Sequence, residues 1–509
     1  MGDSTIVVGI SVLYLGACLL VGMWPRKQSA SADGYVAGDR SLGLVVMYFI
    51  TGATIFSAFA FLGAPGRAYE KGAYAFYILS FGTLGFVPFY FIGPRAARLG
   101  RRFGFVTQAE MVASRFRMPA LAGAMALVSA LAFVPYLTLQ MQGSGYVLNA
   151  VTRDAVPRWM GGLIVYAVVL AYVWRSGVLG VGWTNTFQGM FMLALAWGLG
   201  LYLPYKLYGG VGPMFARLAV EKPEYLVPPG PTSSGEPGSW GAYSTDILVS
   251  IIGFSFWPHL FMKAFTARDE NTLRRTVVLY PTFQFFLVPL VIIGFAGILF
   301  ASAPEQPDQI LPHILMNVEL SPVLVGLFCA GALAASMSSG DAIAHAAGSI
   351  LIRDGVVTAL GKRFDPARER FLIRVTLTGV MVLAYVIALL GADDLVALLL
   401  YAYGPITQFA PVVVAALYWR RATGTGVFAG LVAGVVISSI LKAEPAWRPW
   451  PLHEGIYGMV ANVAILVFVS LATQRQSDWD REYLEVAAGG GGGLSAAPSA
   501  PPSASRPRA

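Results

Sequence analysis

Apolar residues run along this chain in long unbroken blocks. They do not alternate as in half-buried strands, nor recur every third and fourth position as on surface helices. A helix needs about 20 apolar residues to cross a bilayer. Blocks that reach or approach that length lie at residues 5–24, 43–66, 72–93, 120–149, 159–174, 178–206, 243–264, 277–301, 321–352, 371–391, 394–418, 423–441 and 456–473. The pattern therefore predicts an all-α membrane protein with thirteen spans. The external loops 208–242, rich in Gly, Pro and Ser, and 302–320, which is acidic, leave no room for a folded domain. Residues 1–475 read as one transmembrane domain and 476–509 as a tail. From about residue 487 the tail runs through Gly489 to Gly493 into Ala, Pro and Ser, a composition that predicts disorder.

Charge placement tests the count. Thirteen spans put the termini on opposite faces and divide the loops into two sets. All but nine of the 35 Lys and Arg fall in one set. The nine are Arg67, Lys71, Arg153, Arg158, Lys206, Arg217, Lys222, Lys442 and Arg448. Basic loops stay cytoplasmic, so the N-terminus is expected outside and the C-terminus inside. The net charge of +8 is then this bias and not a nucleic-acid footprint. Composition agrees: 56% hydrophobic and 12% charged, against roughly 25% charged in soluble domains. The first block is too long for a secretory signal. Asp3 precedes it and Arg26 and Lys27 follow, the wrong polarity for one. Cys18 and Cys329 lie in apolar runs and read as small buried hydrophobes. No Gly-rich phosphate loop with a following Lys is present, so work must be drawn from an ion or solute gradient.

Polar residues inside the blocks say what crosses. Val323 to Leu351 carries Ala335-Ser336-Met337-Ser338-Ser339-Gly340-Asp341 at its centre. Such groups are expensive in hydrocarbon and persist where they line a cavity, a pore or an ion site. Ala335, Ser338 and Ser339 share one helix face. That face offers a carbonyl and two hydroxyls, oxygen ligands suited to a hard cation such as Na⁺; alternatively the serines bond back to their own helix. Gly52-Ala53-Thr54-Ile55-Phe56-Ser57, with Gly63-Ala64-Pro65-Gly66 after it, has the small and hydroxylated residues of an interrupted span. An interruption frees carbonyls, which must line a cavity or bind something; close helix packing is the other use of small residues. Asp341 and His345 lie one turn apart and suit either a proton relay, an ion-release path or a hydrogen-bonded pair holding the helix. No nucleophile is poised beside them, so the chain does not read as an enzyme. His259, after Pro258, reads as structural and near an inner gate. Candidate solute-pocket residues near the midplane are Ser57, Phe61, Tyr77, Gln140, Phe256, Trp257, Tyr403 and Gln408. No Lys or Arg is expected deep in any span, so an anionic solute would rely on helix N-termini and a co-bound cation.

Together these segments resemble the sodium:solute symporter family. The likeness rests on Thr51 to Ser57 with Gly63 to Tyr69, Gln140 to Gly145, Val181 to Gly189 and Ala335 to Asp341. It extends to about residue 475. The resemblance implies a LeuT-like core of two inverted five-helix repeats, about 43–206 and 243–418, with the second and seventh spans broken. It implies a Na⁺ site made by the carbonyls of Ala53, Phe56 and Ala335 and the hydroxyls of Ser338 and Ser339. Two positions depart from the family pattern. Ile55 stands where many members carry an acid. Asn185 stands where many carry the Asp of a second sodium site, which argues for one Na⁺ per solute. The stretch from Trp257-Pro258-His259 to Pro281, with His345-Ala346-Ala347, looks most like branches that move monocarboxylates or pantothenate. The expected activity is thus Na⁺-coupled symport of a small organic solute, with a monocarboxylate first. Proline-like or pantothenate symport, or H⁺ coupling through Asp341 and His345, are the alternatives. The expected partners are the solute and the lipid bilayer, in a bacterial inner membrane; oligomeric state is left open.

Overall fold

A span that faces other helices instead of lipid need not be apolar throughout, and the block carrying Ser338 and Asp341 occupies that position. The computed structural model describes residues 2–24, 32–231, 238–391, 402–474 and 477–489. Regular structure among the described residues is helical, with one isolated bridge between Leu42 and Ala267. Eight helices are long and apolar enough to cross a bilayer. Two helix pairs, bent by 58° and 43° at short breaks, are also long and apolar enough when each pair is taken together. The protein is an integral, multi-pass, all-α membrane protein.

The elements that build the centre are α1 (Gly2–Met23), α2 (Leu44–Ile55), α3 (Pro119–Val151), α4 (Arg158–Tyr208), α5 (Trp240–Phe254) and α6 (Pro322–Ile350). Helix α6 packs against α1, α2, α3 and α4, and 83% of its apolar window is buried inside the protein. The blocks 159–174 and 178–206 form one helical run, α4, of 51 residues. A straight helix of that length would measure about 77 Å, far more than one bilayer crossing. The run turns at Gly177, where φ is +54° and a Cβ would sit 2.5 Å from the Tyr35 carbonyl oxygen. Part of the expected block 394–418 lies outside the described residues; from Phe409 to Tyr418 it is helical.

Ion pairs sort as the loop alternation expects. Each described pair joins two residues from the same set of loops. Arg353 meets Asp33, Glu110 and Glu369; Arg98 and Arg101 meet Glu270; Arg448 and Lys442 meet Glu454; Arg158 meets Glu305.

The tail begins with a helix, α7 (Asp478–Ala488), which ends close to the residue from which disorder is expected. Ser477 and Asp480 form a capping box at its start, and Gly489 closes it at φ +90°. Trp479, Tyr483 and Ala487 fall on one face by i, i+4 spacing, a stripe that loop composition concealed. Tyr483 is fully buried and stacks on Phe103, its hydroxyl donating to the Met111 carbonyl at 2.7 Å. Trp479 donates to the Ser114 carbonyl at 3.0 Å, and Arg115 pairs with Asp480. Residues 490–509 lie outside the described residues.

Candidate ion and solute site

The helix that α2 begins stops at Phe56 because a tight turn replaces the next helical hydrogen bonds. Phe56 has φ −80° and ψ +78°, the geometry of an inverse γ-turn, and Ser57 N donates to the Ile55 carbonyl at 3.0 Å. Ala58 N donates sideways to Gln140 Oε1 on α3 at 2.9 Å. In an unbroken helix Ser57 N and Ala58 N would satisfy the carbonyls of Ala53 and Thr54. Both carbonyls are therefore freed in the protein interior, where an unpaired one is costly. Ser57 restarts the helix: its Oγ accepts from Phe59 N at 3.2 Å, and its carbonyl accepts from Ala60 N and Phe61 N.

The freed carbonyls face the paired serines of α6. Ser338 Oγ donates to the Ala53 carbonyl at 2.9 Å and also to the Ala335 carbonyl at 3.1 Å; Ser339 Oγ donates to the Thr54 carbonyl at 2.6 Å. All five residues are fully buried. Oxygens from two separate elements thus converge, all neutral, which fits a small hard monovalent cation. The carbonyl of Thr54 belongs to this cluster and was missed in the sequence. Finding it needed the residue at which the helix stops, one turn more or less deciding which carbonyls are freed. Phe56 contributes the turn, and its ring stacks on Phe283 at 5.0 Å between centroids.

Asp341 and His345 do not pair with each other. Asp341 accepts from Tyr172 at 2.7 Å and Thr184 at 3.2 Å, with Asn185 Nδ2 at 3.5 Å. Asn185 also reaches Thr54 Oγ1 at 3.3 Å, while its own Oδ1 is buried without a partner. His345 Nε2 lies 3.0 Å from the Tyr35 carbonyl and must donate to it, since a carbonyl can only accept.

The second break lies between α5 and the short helix Pro258–Phe261. Pro258 has no N–H, and Trp257 before it takes φ −53° and ψ +124°, outside the helical region. A cavity opens between the two breaks, lined among others by Ile55, Phe81, Tyr136, Trp257, His259 and Tyr403. Of the eight expected pocket residues, Trp257 and Tyr403 line it. Gln140 and Ser57 instead secure the first break. Phe61 packs on Phe286 and Phe328, and Tyr77 on Tyr74 and Phe81. Phe256 is buried in the core. Gln408 is spent elsewhere, donating to the carbonyls of Gly404 and Gly455 and accepting from Asn462 at 3.3 Å. The aromatic residues Phe81 and Tyr136 escaped notice because isolated aromatics inside apolar spans carry no sequence signal.

Lys263, at the end of the apolar block 243–264, is only 4% exposed and belongs to the second part of the second bent helix pair. A cation at the end of an apolar block reads as a loop residue until the packing around it is known.

The sequence pattern of the sodium:solute symporter family matches residues 35–434. The chain belongs to the sodium:solute symporter family. It is similar to the uncharacterized symporter YhjB of Bacillus subtilis strain 168, at 26% identity over 93% of this chain and 98% of that one. It is also similar to the high-affinity proline transporter PutP of the same strain, at 25% identity over 90% and 96%. Its backbone resembles that of a Na⁺-coupled sialic acid symporter solved in a substrate-bound outward-open state. The TM-score is 0.75 at 19% identity, over 93% of this chain and 99% of that one. That likeness fixes the LeuT-type fold. As a sodium:solute symporter the chain is a secondary transporter and not an enzyme.

Proposed function

We propose that this symporter couples inward movement of Na⁺ to uptake of a small carboxylate-bearing solute, with a monocarboxylate as the best fit. The observation that carries the reading is the pair of carbonyls freed at Ala53 and Thr54, facing the hydroxyls of Ser338 and Ser339. Na⁺ is held by the carbonyls of Ala53, Phe56 and Ala335 and the hydroxyls of Ser338 and Ser339, with Thr54 added. This ties the broken span to α6. Binding Na⁺ there favours the outward-open arrangement, in which the broken span is held in the shape that receives solute. Solute enters the aromatic cavity at Trp257 and Tyr403, the outer side closes, and the two inverted repeats, 43–206 and 243–418, rock about the site. Na⁺ then leaves along the inner half of α6, past Asp341. The thirteen-span layout with the N-terminus outside, in a bacterial inner membrane, places the basic loops in the cytoplasm. Asn185 supports a single Na⁺ per solute. The relatives support the solute class, since proline and sialic acid both carry a carboxylate.

Counterflow in proteoliposomes tests this, using labelled pyruvate, lactate, propionate, proline and pantothenate with and without Na⁺. Stimulation by Na⁺ of at least one carboxylate is expected. Uptake indifferent to Na⁺ but driven by a pH gradient would assign coupling to Asp341 and His345 instead.

A further inference from the structure

A second cavity lies on the cytoplasmic side of the aromatic one, and its polar lining is basic. His259, Lys263 and His345, with the neutral Thr266, supply that lining, against an apolar wall that includes Val36, Val178 and Val181. His259 lines both cavities, so it stands at the partition between them. His259 and Lys263 are four residues apart on the inner half of the broken span, and so stand on one side of it. His259 is 3% exposed and its Nδ1 is buried without a hydrogen-bond partner. Lys263 makes no ion pair among the described residues. Asp341 acts on it electrostatically, but that carboxylate is engaged by Tyr172 and Thr184 of α4. A buried ammonium and a buried, unmatched ring nitrogen are expensive to keep dry. Both are met by one incoming group, a carboxylate, which takes charge-assisted hydrogen bonds from a lysine and accepts from a ring N–H.

We infer that His259 and Lys263 form an exit station for the solute carboxylate, between the aromatic cavity and the cytoplasm. This rests on the carboxylate-symport reading above. The solute's anionic end passes His259 and is received by Lys263, while its carbon skeleton lies along the valine wall. The ligand class is a small monocarboxylate with an apolar or lightly polar body. The station draws the solute off the outer cavity after the inner side opens. It therefore acts on the cytoplasmic face of the cycle.

The test uses the full-length protein in right-side-out proteoliposomes with [¹⁴C]pyruvate, [¹⁴C]lactate and [¹⁴C]propionate, measuring entry and efflux separately. For K263M, the KM for efflux of the transported carboxylate is expected to rise about tenfold or more, the scale of losing a charged hydrogen bond. The KM for entry should change less than about threefold on that scale, and K263R should restore most of the efflux. Binding of ²²Na⁺ to K263M in detergent reports that the variant is folded. If wild-type protein moves none of the three monocarboxylates, the monocarboxylate assignment falls and the station with it, while Na⁺-driven uptake of proline or pantothenate would leave carboxylate symport standing. If wild-type protein moves pyruvate and K263M leaves its efflux KM unchanged, symport stands and the station is overturned. A variant in which only the half-saturating Na⁺ concentration shifts also overturns it, because the lysine then serves the ion site through Asp341.

Discussion

Replacing Ser339 by alanine isolates one oxygen of the ion cluster. Ser339 is fully buried, and its hydroxyl lies 2.6 Å from the Thr54 carbonyl freed by the break. Without Na⁺, the variant loses a neutral hydrogen bond, worth about 0.5–1.5 kcal/mol net. With Na⁺ bound, it loses a contact to a full charge, worth about 1.5–3 kcal/mol. The difference, about 1–1.5 kcal/mol, weakens Na⁺ binding about fivefold to twelvefold. Alanine is smaller than serine, so no clash adds to this. Ser339→Thr keeps the hydroxyl and is expected to stay close to wild type. The assay is the Na⁺ dependence of labelled solute uptake in proteoliposomes, with direct ²²Na⁺ binding alongside. A Ser339→Ala protein that is folded and half-saturates at the wild-type Na⁺ concentration would refute the assignment of this cluster.

Three further outcomes follow from the packing. Gln140→Ala removes the acceptor for Ala58 N and leaves a buried N–H unpaired, at about 1–3 kcal/mol. A lower melting temperature in detergent is expected, and Gln140→Glu, which keeps an acceptor, should recover part of it; equal loss in both would disprove the bond's role. Gly340→Ala places a methyl group within 2.7 and 2.8 Å of Tyr166 ring carbons and against its hydroxyl, which donates to the Ser336 carbonyl. Transport should fall sharply, and combining it with Tyr166→Phe should recover little, since the ring clash remains; full recovery would show that the hydroxyl alone matters. Tyr483→Ala removes a buried ring from the tail dock, at about 3–5 kcal/mol. The released helix should become cleavable by trypsin at Arg481, from the cytoplasmic side only; protection equal to wild type would mean that α7 does not depend on this anchor.

The sequence alone determined that the chain lives in a membrane and roughly where its apolar helices run. These follow from solvent transfer and charge, properties that each segment carries by itself. It also marked Ala53, Ala335, Ser338 and Ser339, because hydroxyls and small residues inside apolar blocks are costly unless used. Only the tertiary structure decided which oxygens meet. Thr54 joined the cluster because the chain turns at Phe56, and Gln408 left the pocket because Asn462 and Gly455 claimed its amide. Gly177 bends the chain sharply between the blocks 159–174 and 178–206. Lys263 passed for a loop residue because a cation at the end of an apolar block has the same local sequence whether it faces water or a cavity. The stripe of Trp479, Tyr483 and Ala487 became a dock for the same reason: burial depends on partners distant in the chain, and segment composition holds no record of them.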